Sequence, residues 1–564
     1  MQHIRILVVL LLLNHSCFAQ NSSGIKHVVV IGIDGLSVNG FKKAKTPCMD
    51  SLMKQGAYSY SAQSILPTSS TPNWNAMICG VGPEATGAID NSWSAAETDF
   101  AFTGLDAQRR FPTIFAILRQ QRPQAEIGSI YDWTGFAEML NKDELNLAEY
   151  CQSQAEVAQK SADYIRQKSP DFLFIHLDDV DHIGHAIGHL SAEYVKTVEK
   201  TDKHVKQIVD AISQNKEMAE STMIMVVSDH GGFTNTHGGM MYEELNTPII
   251  FAGKGIKKNY EIQEQIYKYD VAANVCFALG LQQPQLWIGR PNKSAFAGFD
   301  EPANLWKGRK VLPPPMFITK TIINPYGGLF IDTPAVVNIQ MPIDQKGEIR
   351  YTLDGSRPDK QSQLYNAPFL LNKSAVVTAA VFNESERSTF ARGEYRVAKT
   401  GGNRGLSYTL YHLDKESNGL PDFDKMKPVG TGAWYDLGVV LPENEIKETP
   451  IAKRLTQFKT GMGIRFSGWI KIDKDGYYNF SIWCTGAAKL FLNGELVVNN
   501  NNNGSQHRGN GGMVCLKKGY SAIKLDMFYN RGSDRILLST RFHLGDEPNR
   551  IVPGNILFKQ KPSK

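Results

Sequence analysis

Cysteine is scarce in this chain, with 7 in 564 residues, and so thin a supply excludes a small fold stapled by disulfides. Charge of one sign is equally sparse. The formal net charge of +5 is spread over the whole length without a lysine or arginine block, so binding to a nucleic-acid polymer is not indicated. Past the N-terminus no segment reaches the roughly eighteen apolar residues that span a bilayer, and no transmembrane helix is expected. At 564 residues the chain is too long for one core, and the usual domain size predicts about three or four units.

What is present begins with a secretory pattern. Arg5 opens a short basic start, Ile6 to Leu13 form an apolar core, and a polar stretch ends at Ala19. Residues 1–19 therefore read as a signal peptide, with the mature chain starting near Gln20 in a secreted or periplasmic setting. Cys17 follows Asn14, His15 and Ser16 rather than small apolar residues, so a lipid anchor there is not expected. Among the remaining cysteines, Cys276 in the apolar helical pattern Asp270 to Leu279 reads as a buried thiol. Cys484 with Cys515 is the pair to test for a disulfide.

The texture of the chain changes twice. From Ile25 to Ala297 short apolar runs alternate with amphipathic stretches such as Ser153 to Gln167 and Ser191 to Ala211, the βα alternation of a mostly parallel sheet flanked by helices. At Leu312-Pro313-Pro314-Pro315 the helical period stops, and Ile318 to Val397 reads as a small β-sandwich. Beyond Thr400-Gly401-Gly402-Asn403, alternation such as Tyr477 to Trp483 predicts a second all-β domain. The expected domains are 24–300, 312–398 and 403–560, an α/β domain followed by two all-β domains.

Candidate ligands sit where apolar runs end. His27 to Ile33 delivers Asp34, Phe172 to Leu177 leads toward Asp181, and Met223 to Ser228 delivers Asp229 and His230. A carboxylate at the carboxyl end of a buried parallel strand is where an open α/β sheet places its ligand chemistry. Asp181 and His185 are one helical turn apart and can chelate one metal, with His237 as a third ligand. Asp178 with His182 has the same spacing. Asp181 with His185 is preferred because Gly184 permits close backbone approach, and Gly231-Gly232 are expected to permit a sharp turn after His230. Ser70 precedes a helical pattern in Pro67-Thr68-Ser69-Ser70-Thr71-Pro72-Asn73-Trp74, where a serine is either a helix cap or a nucleophile held beside outward-pointing amides. Together these residues suit two divalent metal ions, zinc by donor type, around one nucleophile.

The motifs Gly32-Ile33-Asp34-Gly35, Pro67 to Trp74, Gly82-Pro83-Glu84, Gly87 to Asn91, Asp181 to Gly188 and Ser228 to Gly231 resemble the alkaline phosphatase superfamily, within it the type I phosphodiesterase/nucleotide pyrophosphatase branch. The resemblance implies an alkaline-phosphatase-like fold with Ser70 as nucleophile in place of the commoner threonine, and Asn91 as substrate-binding residue. It puts one zinc on Asp34, Ser70, Asp229 and His230, and the other on Asp181, His185 and His237. A phosphoseryl intermediate resolved by water follows from that assignment. Asn91 is a neutral donor where a monoester dianion would favour an arginine, so a nucleotide, lipid or glycan phosphodiester is the expected substrate, with phosphate monoesterase as the alternative. Trp74, Trp93 and Trp133 are candidates for an aromatic pocket wall, with core packing as the competing role.

Tyr351 to Pro358 resembles the chitobiase/hexosaminidase C-terminal β-sandwich. The pattern from Phe466 to Gly494 is similar to the anthrax protective-antigen type of β-barrel, which implies a barrel or jelly-roll for the last domain and makes a glycan or cell-surface polysaccharide a candidate partner. The acidic pair of its calcium-dependent members is missing near Cys484-Thr485-Gly486. A glycan-binding surface protein with an inactive hydrolase domain is the reading from another class. A formylglycine sulfatase is disfavoured because Trp74 stands where its motif requires arginine.

Overall fold

The computed structural model describes residues 24–563 apart from 96–103, 106–108, 190, 234–235, 307–311, 319–326, 385, 414–418, 443–460, 485, 502–509, 531–534, 546 and 548. The expected signal segment and Cys17 lie outside the described residues. Chain contacts divide the molecule into two compact units, Met1–Arg309 and Lys310–Lys564.

The first unit is built on eight strands: β1 (His27–Ile33), β2 (Ala57–Gln63), β3 (Ile127–Tyr131), β4 (Leu147–Tyr150), β5 (Phe172–Leu177), β6 (Thr222–Val227), β7 (Asn246–Gly253) and β8 (Tyr260–Glu261). Their order is β4-β3-β5-β1-β6-β7-β2-β8. Only β7 is reversed, antiparallel to both β6 and β2, so the sheet is mixed and mostly parallel. The continuous apolar runs of β1, β5 and β6 are explained by helices on both faces. Alternate residues serve the two cores. Val28, Val30, Phe172, Phe174, Met223 and Met225 face one, with the helices Ser70–Cys79, Ile114–Gln121 and Asp270–Leu279. Val29, Ile31, Leu173, Ile175, Ile224 and Val226 face the other, with Gln154–Lys168 and Ala192–Gln214.

The register of the three central strands decides where the chemistry goes. Ile33 pairs with Leu177 and Gly32 with Val227, so β5, β1 and β6 end at one level. Asp34, Asp178 and Ser228 are the next residues out. The order changes direction around β1, the kind of switch point that opens a crevice at the carboxyl ends.

The second unit is all β apart from short helical turns. Its first part carries a five-stranded sheet made by Gly327–Ile331, Ala391–Ala398, Ala375–Phe382, Glu348–Thr352 and Gln363–Leu364, over a core that includes Val337, Ile349, Val377 and Tyr395. Its second part has a seven-stranded and a five-stranded sheet. Tyr478, Phe480 and Ile482 point into their common core, while Tyr477 and Trp483 are exposed, the alternation expected of a half-buried strand. Cys484 and Cys515 do not meet. Cys484 ends the strand Gly476–Cys484 facing inward, whereas exposed Cys515 pairs with Tyr477 at the strand's other end. The described cysteines are all free thiols.

Candidate metal centre

Ser69, in an extended conformation, is the N-cap of the Ser70–Cys79 helix and makes no side-chain cap bond. Ser70 is therefore the first helical residue rather than the cap. Its hydroxyl, 4% exposed, is 3.2 Å from His230 Nε2. Asn73 holds the preceding loop by accepting from the Ile65 amide and donating to the carbonyls of Pro67 and Ser69. Thr68 accepts from the Gly238 amide and donates to the Gly239 carbonyl. This ties the Ser70 turn to the loop that carries His237.

Two imidazoles have their orientation set from behind. His237 Nδ1 is 2.8 Å from the Thr68 carbonyl and His230 Nδ1 is 2.8 Å from the Gly231 carbonyl. Each spends its hydrogen there, so each Nε2 presents a lone pair to the centre. His237 Nε2 lies 3.0 Å from His185 Nε2 and 3.9 Å from Asp181 Oδ2, with His185 Nε2 at 3.2 Å from the same oxygen. These three ligand atoms converge as a cation site requires. Asp34, Asp181 and His230 form a second such group, and Asp229 Oδ2 is 3.0 Å from His230 Nε2. The Asp178 and His182 alternative does not assemble in this way: His182 is exposed, and Asp178 groups instead with Asp34 and His176.

Three buried carboxylate oxygens, Asp34 Oδ1, Asp181 Oδ1 and Asp229 Oδ2, have no hydrogen-bond partner. Orphaned anionic oxygens beside lone-pair nitrogens are costly unless a cation satisfies them, so the residues present fit divalent metals. Nitrogen and oxygen donors together suit zinc. The electrostatics agree. Burial, then the charges of Asp34 and Asp181, push the Asp229 carboxyl well above the usual range. Burial also opposes ionisation of Asp181, yet His185 and His237 carry its carboxyl well below that range. Burial pushes His230 and His237 down toward the neutral, ligating form.

Glycine serves this centre chiefly through space. Gly35 has φ +66°, and a Cβ there would stand 2.6 Å from Asp181 Oδ1. Gly184 and Gly232 both make room for the His189 ring, at 2.3 and 2.2 Å from a Cβ, and Gly231 for the Glu243 carbonyl at 2.0 Å. Neither Gly231 nor Gly232 has a positive φ. The glycines expected to permit a sharp turn after His230 do so without a left-handed backbone, and a crowded approach is what excludes a side chain.

The pocket tryptophans are corrected in part. Trp74 is wholly buried, packed edge-on against Phe136, Phe174 and His176, and its Nε1 donates to Asp34 Oδ2 at 2.9 Å. It cannot wall a substrate pocket. Trp93 and Trp133 are partly buried against the same core, and Trp133 stacks on His176 with centroids 5.9 Å apart. Asn91 is exposed, and its Oδ1 accepts from the Thr71 amide at 2.9 Å, leaving Nδ2 as its donor. Three further buried groups lie at or near the centre: His176 and His189, which the sequence crowds around Asp181 without assigning them a role, and Lys268. His176 interrupts the apolar run of β5, which is a legible signal. His189 packs beside Asp181, with Nε2 at 3.7 Å from Oδ1. Lys268 is pushed down to about 7 by burial, and it donates to Thr247 Oγ1. Lys268 has no pattern in the sequence that marks it.

Residues 28–264 match the model of the type I phosphodiesterase / nucleotide pyrophosphatase family, 337–395 the Fn3 associated model and 455–547 the PA14 domain model. The middle match is not to a chitobiase-type domain, so that expectation reduces to a β-sandwich. Among curated proteins, the human GPI ethanolamine phosphate transferase 2 catalytic subunit is 25% identical over 280 residues, covering 46% of this chain and 27% of the relative. Venom phosphodiesterase 2 of Crotalus adamanteus is 24% identical over 211 residues, covering 35% and 26%. The chain thus spans about a quarter of the length of these relatives. Among solved structures, murine ectonucleotide pyrophosphatase/phosphodiesterase 5 shares 16% identity at a TM-score of 0.39, over 46% of this chain and 96% of that one.

Proposed function

With an alkaline-phosphatase-like phosphodiesterase/nucleotide pyrophosphatase domain followed by a β-sandwich and a PA14 domain, we propose that the chain is a secreted or periplasmic two-metal phosphoric ester hydrolase acting on phosphodiesters. The observation that carries the reading is the convergence of His185, His237 and Asp181 beside three orphaned carboxylate oxygens and the buried Ser70 hydroxyl. Asp181, His185 and His237 would hold one cation, and Asp34, Ser70, Asp229 and His230 the other. When bound, zinc supplies positive charge that lowers the Ser70 hydroxyl's pKa and offsets charge on the transferring phosphoryl group.

The chain's own residues then do the following. Ser70 Oγ, carried on the first helical turn, loses its proton to solvent and attacks phosphorus in line, the Oγ–P bond forming as the P–O bond opposite breaks and the leaving alkoxide takes up a proton from water. The Asn91 amide donates to a non-bridging oxygen as that oxygen gains charge. Water hydrolyses the phosphoseryl ester and returns Ser70. Asn91 is neutral, which suits a diester monoanion better than a monoester dianion.

Hydrolysis of bis(p-nitrophenyl) phosphate against p-nitrophenyl phosphate tests the preference. The diester is expected to be cleaved faster, with activity lost to chelator and restored by zinc. Ser70→Ala is expected to lower kcat by at least about a thousandfold even with excess zinc, because Asp34, Asp229 and His230 would still hold the cation that Ser70 helps to bind. A strong preference for the monoester overturns the diester assignment. Transfer of an ethanolamine phosphate group from a donor diester to an added acceptor alcohol, in place of water, would place the activity with the ethanolamine phosphate transferases. For the PA14 domain we propose glycan binding; a glycan array probed with the full chain tests it, and silence across the array removes it.

A further inference from the structure

His176 stands between two carboxylates at the end of β5, and the mechanism above does not use it. Its Nε2 is 3.1 Å from Asp34 Oδ2 and its Nδ1 is 3.5 Å from Asp132 Oδ1. Trp74 Nε1 donates to that same Asp34 oxygen at 2.9 Å. The other oxygen, Asp34 Oδ1, is buried without a hydrogen-bond partner and lies 3.6 Å from His230 Nε2. One oxygen is saturated by the protein and one is left for the centre.

We propose that His176 and Trp74 form a two-donor clamp on Asp34 Oδ2 that fixes the carboxylate so that Oδ1 faces the metal centre. His176 is then a positioning residue for metal binding, an inference that rests on the two-metal reading. Outer partners of this kind set the orientation and basicity of a ligand. The clamp is rigid by construction. The His176 ring packs against Trp74 at 4.9 Å, Phe136 at 5.1 Å and Trp133 at 5.9 Å between centroids. A Cβ on Gly32 would stand 2.6 Å from the Trp74 ring, so the bare backbone of β1 is what admits the indole. Asp132 is anchored in turn by the Asp178 amide at 3.0 Å.

Asp34, His176 and Asp178 are also close enough together to be taken for a third cation site. The partners favour the clamp. Asp34 Oδ2 already accepts from Trp74 Nε1 and lies 3.1 Å from His176 Nε2, so the atoms this group would offer a cation are engaged with one another, whereas His237 and His185 bring Nε2 to Nε2 at 3.0 Å and so leave room for a shared cation.

Three variants of the full chain test the clamp: Trp74→Phe, which removes the N–H donor together with part of the ring; His176→Phe, which removes the ring nitrogens; and His176→Gln, which keeps one donor. Metal content, zinc affinity by chelator competition, and kcat and KM on bis(p-nitrophenyl) phosphate are read for each. The wild type is expected to hold two metals. Trp74→Phe and His176→Phe should bind one of them about 10- to 100-fold more weakly. Excess zinc should recover their activity at near wild-type KM, with His176→Gln falling between. Should His176→Phe fail to fold, Trp74→Phe decides alone. Folded variants that keep wild-type zinc affinity and kcat overturn the clamp, as does a third metal in the wild type that His176→Phe abolishes. A wild type that holds no metal and cleaves no diester is a different failure, because it removes the two-metal reading on which the clamp rests.

Discussion

Glu243 keeps both carboxylate oxygens buried without a hydrogen-bond partner, at 3% exposure. Burial above all pushes its carboxyl up to about 7, with the Glu244 charge adding to the effect. The folded-state value is raised, so its contribution to stability is complete below the ordinary value of 4.5 and is lost as pH rises through about 7. The amount is about 3 kcal/mol on the usual conversion of a pKa shift to free energy. Glu243→Gln should match the wild type near pH 4 and exceed it at pH 8, read by denaturant unfolding across that range. Identical pH profiles would contradict the assignment. Nothing in Tyr242-Glu243-Glu244-Leu245 reveals this, because burial belongs to what folds over the residue. Asp34, Asp181, His185, Asp229 and His230 were legible as candidates because each follows an apolar run or repeats a helical spacing, and His237, in a glycine-rich loop, only as the third ligand that Asp181 and His185 lack. That Trp74 donates to Asp34 rather than facing substrate was not, since an indole beside a nucleophile has the same letters in either role.

At the scale of the element, the ends of β5, β1 and β6 create the centre. Each run ends in a polar residue at a common level because hydrogen-bond register locks Ile33 to Leu177 and Gly32 to Val227. The Ser70–Cys79 helix reaches that level from the β2 side, and its Trp74 enters over Gly32. Gly32→Ala should therefore cost about 1–3 kcal/mol by overpacking, and should weaken zinc binding by displacing the indole from Asp34. Thermal unfolding and chelator competition read the two effects separately. A variant that loses stability but not zinc affinity would uncouple the strand from the clamp. The runs themselves were visible in sequence. Their order was not, because periodicity says which residues pair inward and nothing about which strands are neighbours.

Across the molecule, the two β regions of Lys310–Lys564 form one compact unit. Arg396, in the sandwich strand Ala391–Ala398, pairs with Asp436 at 2.7 Å and donates to the Gly438 carbonyl at 2.7 Å, with both side chains buried. Glu394 of that strand accepts from the Ile551 amide at 2.9 Å and pairs with Arg541. Removing one partner of a buried pair leaves the other charged and desolvated, which typically costs about 3–5 kcal/mol. Asp436→Ala should lower the midpoint of the β unit's unfolding transition accordingly. Arg396→Met with Asp436→Leu should recover much of the loss. A neutral Asp436→Ala would show that the pair contributes nothing to the joint.

Local pattern alone determined the broad architecture: an α/β region, two soft joints and two all-β regions, since hydrophobic period and turn residues are properties of neighbours in the chain. It also supplied the ligand candidates and the nucleophile candidate for the same reason. Tertiary structure decided which candidate ligands converge, which tryptophan is a donor, where the glycines are needed for space, and that two β regions are joined by buried charges. Those outcomes depend on contacts between residues far apart in sequence, and such distances are set only when the chain has closed its cores.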